Sequence, residues 1–169
     1  MSAPPAAGPV PGPDELRIFW WLHDARWYQG VAKRFGQDAA NEINAEAVQF
    51  VAKRVATWYA RTHGITADLP TPELSDVLET ISRLMWSDDM VEARNEVLGD
   101  DSWETVVSKN FNLRMLAAAG SLDGYDCPCL PMRAGWFDGL GLRTEDSCIE
   151  CQRTGGEVCR FRARRLPPP

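Results

Sequence analysis

The chain has 169 residues, 44% of them hydrophobic, which is one domain's length with enough apolar side chains to build its own core. Its net charge of −6 and isoelectric point near 4.9 exclude a broad nucleic-acid surface, because phosphate binding draws on Lys and Arg. No apolar run reaches the roughly 20 residues of a membrane helix, so no membrane partner and a cytoplasmic location are expected.

Residues 1–13, rich in Pro, Ala and Gly, have no apolar period and no basic signal-peptide start, and read as a disordered tail. One domain is expected over 14–165, with a helical layer over 14–98 and a metal-bearing α/β part over 100–165; residues 166–169 form a second tail. From Asp14 to Phe35 a helix is expected, opened by Pro13, Asp14 and Glu15 and stopped by Gly36. At 100° per residue, Trp20, Trp21, Trp27, Tyr28, Val31 and Phe35 share one broad face, opposite Arg26, Gln29 and Lys33. Asp24 falls near the middle of that face, four residues after Trp20 and four before Tyr28. A carboxylate so placed either pairs with a buried donor from another element or faces a cavity, where desolvation fits it for acid–base work or for holding a ligand. His23 sits at the rim of the face. The pair His23-Asp24 does not make an HD-type metal phosphohydrolase, since the other histidine, His63, directly precedes a helix-ending Gly64.

A second helix is expected from Asp38 to Thr62, with Val48, Val51, Val55, Trp58 and Tyr59 on its inner side. Gly64, Pro70 and Pro72 interrupt the chain, and Thr71-Pro72-Glu73 restarts it. Leu74, Val77, Leu78, Ile81, Leu84 and Met85 then repeat at helical spacing as core. Trp86 to Leu98 either continues this helix or turns at Ser87-Asp88-Asp89, with Gly99 closing the segment. From Trp103 to Leu113 the β-branched Thr105, Val106 and Val107 predict a strand, with helix as the competing reading. Met115 to Ala119 leads into a Gly120–Gly124 loop, and Ala134 to Leu140 forms a short helix or turn with Trp136 and Phe137 facing inward. Neither a phosphate loop nor a dinucleotide glycine pattern is present.

All five cysteines lie in the last quarter, as Cys127, Cys129, Cys148, Cys151 and Cys159. Thiolates so grouped, with one C-x-x-C, supply the soft tetrahedral ligands of zinc. Val158 to Arg162 alternates apolar with basic after the Arg153-Thr154-Gly155-Gly156 turn, which predicts a β-hairpin. A turn centred on Gly155 sets Cys151 directly opposite Cys159, about 5 Å apart at their β-carbons. Cys148, three residues from Cys151, then needs a bulge or a strand end to turn inward. The fourth ligand falls to Cys127 or Cys129. Three other readings stand beside zinc: disulfides, an iron–sulfur cluster, and plain buried thiols. The arginines Arg160, Arg162, Arg164 and Arg165 read as solvating one strand face.

The run Glu145-Asp146-Ser147-Cys148-Ile149-Glu150-Cys151, then Gly155-Gly156-Glu157-Val158-Cys159-Arg160-Phe161, resembles the C-terminal signature of the 4-vinyl-reductase domain family. Upstream, Cys129 and Gly135-Trp136-Phe137-Asp138-Gly139-Leu140 are similar to that family's Cys followed by Gly-x-x-x-Gly-Leu. The resemblance covers about the last 45 residues. It implies a structural zinc beside a hydrophobic pocket for a small molecule, as in the family's sensor members. Cys148 stands where those members carry a glutamate, so the implied site is richer in sulfur. Trp27-Tyr28 and Arg34-Phe35-Gly36 resemble bacterial proteins related to aminothiazoline-carboxylate hydrolases.

The expected fold is therefore α+β, with aromatic-rich N-terminal helices on a small antiparallel sheet and a zinc-stapled C-terminal hairpin. The leading functional expectation is a hydrolase- or lyase-like enzyme acting on a small organic molecule. Its catalytic candidates are Asp24 and His23, its pocket candidates Trp20, Trp27, Tyr28 and Trp136. The alternatives are a non-catalytic, sensor-type small-molecule-binding domain and an interaction scaffold. Expected partners are the small molecule and a second copy of the chain.

Overall fold

The computed structural model describes residues 10–167. The parts of the expected tails at residues 1–9 and 168–169 lie outside the described residues, and the first helix begins at Pro13. That helix, α1 (Pro13–Phe35), has Pro and two acids in its first turn and Lys33 and Arg34 in its last, an arrangement matched to the helix dipole. Gly36 alone joins it to α2 (Gln37–His63), and α3 (Thr71–Met85) follows the Pro70 break. α3 is the most clearly amphipathic of the three, burying Leu74, Val77, Leu78, Ile81 and Met85, while Leu84 is turned outward.

The segment after α3 turns at Ser87, whose carbonyl accepts from Met90 N–H at 2.9 Å, and then runs as β1 (Val91–Gly99). Of the two expectations for Trp86 to Leu98, the turn holds and the helix does not. The physical reason is a period of two: Val91, Ala93 and Asn95 are half-buried while Glu92, Arg94 and Glu96 are exposed. β2 (Ser102–Asn110) pairs antiparallel with β1 across Asp100-Asp101. It ends three residues before the expected Leu113, because the Asn110 side chain accepts from Leu113 N–H at 3.2 Å and caps α4 (Phe111–Ala118).

After α5 (Cys129–Gly139), β3 (Thr144–Glu150) and β4 (Cys159–Arg165) form the predicted hairpin, with a 3₁₀ turn over Gln152–Thr154 between them. β4 also pairs with β2, giving one antiparallel sheet of order β1-β2-β4-β3. On β4, Cys159, Phe161 and Ala163 face the core and Arg160, Arg162 and Arg164 face out, the alternation read from the sequence. The chain is thus α+β, with a four-stranded sheet carrying its helices on the face that holds Trp103, Phe161 and Ala163.

The hairpin register differs in detail from expectation. Cys148 stands opposite Phe161, a bulge follows between Cys148 and Glu150, and Glu150 pairs with Arg160. One further step would bring Cys151 across from Cys159, but the ladder ends there. Cys151 instead starts the 3₁₀ turn, and the ladder partner of Cys159 is Val107 on β2.

Candidate functional site

A cavity of about 250 Å³ lies between the helices and the sheet. Trp21, Asp24 and Tyr28 of α1 form one wall and Val48 of α2 adjoins them. Ala93 and Thr105 supply the strand side, Phe111, Met115 and Leu116 of α4 close an edge, and Met132, Arg133 and Trp136 of α5 close another. Most of this lining is apolar or aromatic, the composition of a small-molecule site rather than of a solvent cleft.

The aromatic wall is fixed by its own contacts. Trp21 donates its indole N–H to Met85 O at 2.9 Å and stacks on Trp86 with ring centroids 5.1 Å apart. Trp136 meets Trp86 edge-on at 6.2 Å. The indole N–H groups of Trp86 and Trp136 are buried and have no acceptor among the described residues. Tyr28 donates to Asn41 Oδ1 at 2.6 Å and accepts from Gln37 Nε2. Asn41 reaches on, donating to Gly124 O at 2.8 Å and accepting from Asp126 N–H at 3.1 Å. This chain of bonds, with an edge-on contact of Tyr28 to Tyr125, ties the loop before Cys127 to α1 and α2. Burial, helped by the charge of Asp126, pushes the Tyr28 phenol up to about 12, and burial also raises that of Tyr125, so both stay protonated.

Arg133 is the cation deepest in the wall. It donates to both oxygens of Asp146, at 2.6 and 2.9 Å, and to Thr105 Oγ1 at 2.8 Å. Its guanidinium also lies over the rings of Phe137 and Phe161 at 5.3 and 5.0 Å. Its charge and its donors are thereby committed to the scaffold.

Asp24 lines the cavity, and among the described residues no hydrogen bond or ion pair reaches its carboxylate. Burial raises its pKa, opposed by the nearby His23. The arginine partner that would have made it a structural pair is not there. His23 is exposed, stacked beside Trp20, and is not part of the cavity wall.

Of the four expected pocket aromatics, the structure brings Tyr28 and Trp136 to the cavity and leaves Trp20 and Trp27 outside it, 59% and 43% exposed. The reason is geometric. A helix packed on the protein body along one side buries a narrow stripe, here Trp21, Tyr28 and Val31 at spacings of seven and three, whereas the aromatic face of α1 is wider than that stripe. The walls from β1 and α4 left no chemical signal in the sequence, being ordinary apolar residues. Arg133 left one, a lone cation in the apolar run from Leu130 to Phe137.

The thiols gather beside this cavity. Cys127 and Cys129 line it, and Cys129, Cys151 and Cys159 pack in the same buried cluster as Tyr28, Tyr125 and Phe161. Cys159 is fully buried, accepts from Gln152 N–H at 3.4 Å, and is pushed up to about 12 by burial. Cys148 is exposed, with its thiol 3.3 Å from Glu150 O. The sulfurs of Cys127 and Cys129 stand 2.8 Å apart, closer than the roughly 3.8 Å edge set by two Zn–S bonds in a tetrahedron. The Cys129 hydrogen bond lowers the Cys127 thiol, and the same contact raises Cys129. Among the described residues no three Cys, His, Asp or Glu groups are drawn around a common centre. The donor chemistry fits zinc, while Cys148 would have to turn inward to complete a set of four.

No family model matches the chain, and no curated protein matches its sequence. Solved structures do. The phenol-responsive sensory domain of the transcription activator PoxR, with phenol, superposes with a TM-score of 0.58 at 13% identity, over 94% of this chain and 76% of that one. Subunit 3 of a trafficking protein particle complex from Naegleria fowleri, covalently bound to palmitic acid, gives 0.55 at 11% identity, over 92% and 95%. The SO2144 H-NOX domain from Shewanella oneidensis, in its Fe(II)CO state, gives 0.51 at 15% identity, over 85% and 74%. The likeness is one of fold.

Proposed function

We propose that this protein is a small-molecule-binding domain of sensor type, whose cavity between α1, α5 and the sheet takes a small, largely apolar ligand. The observation that carries this reading is the cavity itself, about 250 Å³ and walled by Trp21, Tyr28, Phe111 and Trp136. An engineered apolar cavity of roughly 150 Å³ already accepts benzene, so the space suits a molecule of one or two rings. The fold shared with a phenol-responsive sensory domain supports the same reading. So does the resemblance of the C-terminal thiol run to 4-vinyl-reductase domains. In keeping with that resemblance, a zinc ion held by Cys148, Cys151, Cys159 and one of Cys127 or Cys129 would act as a structural clamp. Four thiolates leave such a zinc no open position for substrate. The enzyme reading draws less support, because His23 is exposed and off the cavity wall.

Calorimetric titration of the purified protein with phenol and with toluene tests the proposal. Saturable binding of at least one, weakened about tenfold or more in Leu116→Trp, which fills the cavity from α4, is the expected result. Failure of both probes to bind, or equal binding by the filled variant, would overturn it.

A further inference from the structure

The cavity is apolar but not electrically neutral. Asp24 shares a stripe of α1 with Trp21 and Tyr28, three residues before it and four after, and all three line the cavity. Two arginines also line the space. The guanidinium of Arg133 is taken up by Asp146, Thr105 and the faces of two phenylalanines. Arg26 is exposed and donates to Gln29 at 3.1 Å. No Lys or Arg forms an ion pair with Asp24 among the described residues, so the one carboxylate in the wall has no ion-pair partner. A partly desolvated carboxylate in an aromatic-lined cavity, with no ion-pair partner among the described residues, has the chemistry of a cation site. The carboxylate supplies the opposite charge, and the rings supply the attraction of their quadrupoles. Burial has already raised the Asp24 carboxyl above its ordinary value, the sign that its charge is under-compensated as the protein stands.

We infer that the ligand is an organic amine, its ammonium group on Asp24 between Trp21 and Tyr28 and its apolar body in the cavity. This rests on the cavity being the ligand site, and it adds the chemical class of what is taken there. An anionic ligand placed at Asp24 is disfavoured, since the carboxylate repels it and Arg133 is already taken up by Asp146. A neutral arene or alcohol fills the apolar space but leaves Asp24 as it was.

Three probes of one size decide it: benzylamine, benzyl alcohol and benzoate, titrated by calorimetry at pH 7 into the wild-type protein and into Asp24→Asn. Benzylamine is expected to bind about tenfold or more tightly than benzyl alcohol, with benzoate the weakest. In Asp24→Asn the preference is expected to collapse to about twofold, with benzyl alcohol unchanged. Equal binding of benzylamine and benzyl alcohol by the wild-type protein would overturn the amine inference and leave the apolar cavity standing. A preference that survives Asp24→Asn would overturn it as well. If none of the three binds, and phenol and toluene fail too, the amine inference falls together with the cavity reading. The comparison within the wild-type protein needs no variant, so poor folding of Asp24→Asn would not remove the test.

Discussion

A carboxylate reports its surroundings through its pKa, and Glu104 does so from the opposite side of the sheet from Asp24. Its side chain is 7% exposed and holds Arg160 and, at 3.0 Å, Arg162, the two outward arginines of β4. The sequence shows these arginines as a solvated face, and the structure adds the buried acid beneath them. Arg160, first, and then Arg162 hold the Glu104 carboxyl below its ordinary value of 4.5, against the opposing effect of burial. A depressed folded-state pKa contributes stability above the unfolded value that is lost as pH falls through the folded value. Glu104→Gln is therefore expected to lower stability by about 1–3 kcal/mol at pH 7. The deficit should persist to pH 5 and shrink as the pH drops below 4.5 toward the depressed pKa of the wild type. Urea unfolding of both proteins at pH 7, 5 and 3 measures this, and a gap that stays constant down to pH 3 would refute the charge as its source.

At the scale of elements, the closest packing is between α2 and α5, and it depends on two glycines. A Cβ on Gly135 would lie 2.4 Å from Gln49 O, and one on Gly139 would lie 2.6 Å from Lys53 O and 2.7 Å from the Ala56 Cβ. Backbone cannot yield as a flexible side chain can, so a methyl group at either position separates the helices. The separation would move Arg133 and Trp136, which α5 presents to the cavity. Gly135→Ala is expected to cost about 3 kcal/mol in chemical denaturation, while Ala134→Ser, on the exposed side of the same helix, costs under about 0.5 kcal/mol. Equal costs would show that the contact is not a close one.

The legible and illegible parts of the sequence divide along these contacts. The long helices were readable because caps and period agree, as at Pro13, Gly36 and the α3 stripe. The β3–β4 hairpin was readable from Gly155 and the alternation at Cys159–Arg165. β1 was not, because Val91 to Gly99 buries its inner residues only halfway and its charges also suit an exposed helix. Nor was the choice among the α1 aromatics, since which rings are covered depends on α3, α5 and the Tyr125 loop, all distant in sequence. Asp24 stood out in the sequence because a charge on an apolar face is rare, and the cavity beside it required the whole fold.

For the molecule as a whole, the question is what holds the hairpin turn and the Cys127 loop against the cavity. Close to Cys127 the loop is held by the bonds of Asn41 to Gly124 and Asp126, by the Tyr28–Tyr125 contact, and by an outer pairing of Arg153 with Asp126 at 3.7 Å. Beyond the last β3–β4 pair, the turn is held by Glu150, which accepts from Glu157 and Val158 N–H, and by Gln152. A metal bound across loop and turn would supply what these contacts do not, because ligation free energy is folding free energy when the unfolded chain has no preformed site. If zinc is the clamp, protein purified without added metal should carry about one zinc per chain by elemental analysis. A chelator should then lower its melting temperature. Cys159→Ser should do the same and lose the metal, while His63→Ala, on the exposed end of α2, should keep both metal and melting temperature. Because one of Cys127 and Cys129 completes the proposed set of four, only one of Cys127→Ser and Cys129→Ser is expected to release zinc. That asymmetry separates a metal clamp from plain thiol packing, in which neither substitution involves a metal and the chelator changes nothing. A colourless protein without zinc would remove the clamp, and one with visible absorbance would place an iron–sulfur cluster on the same thiols.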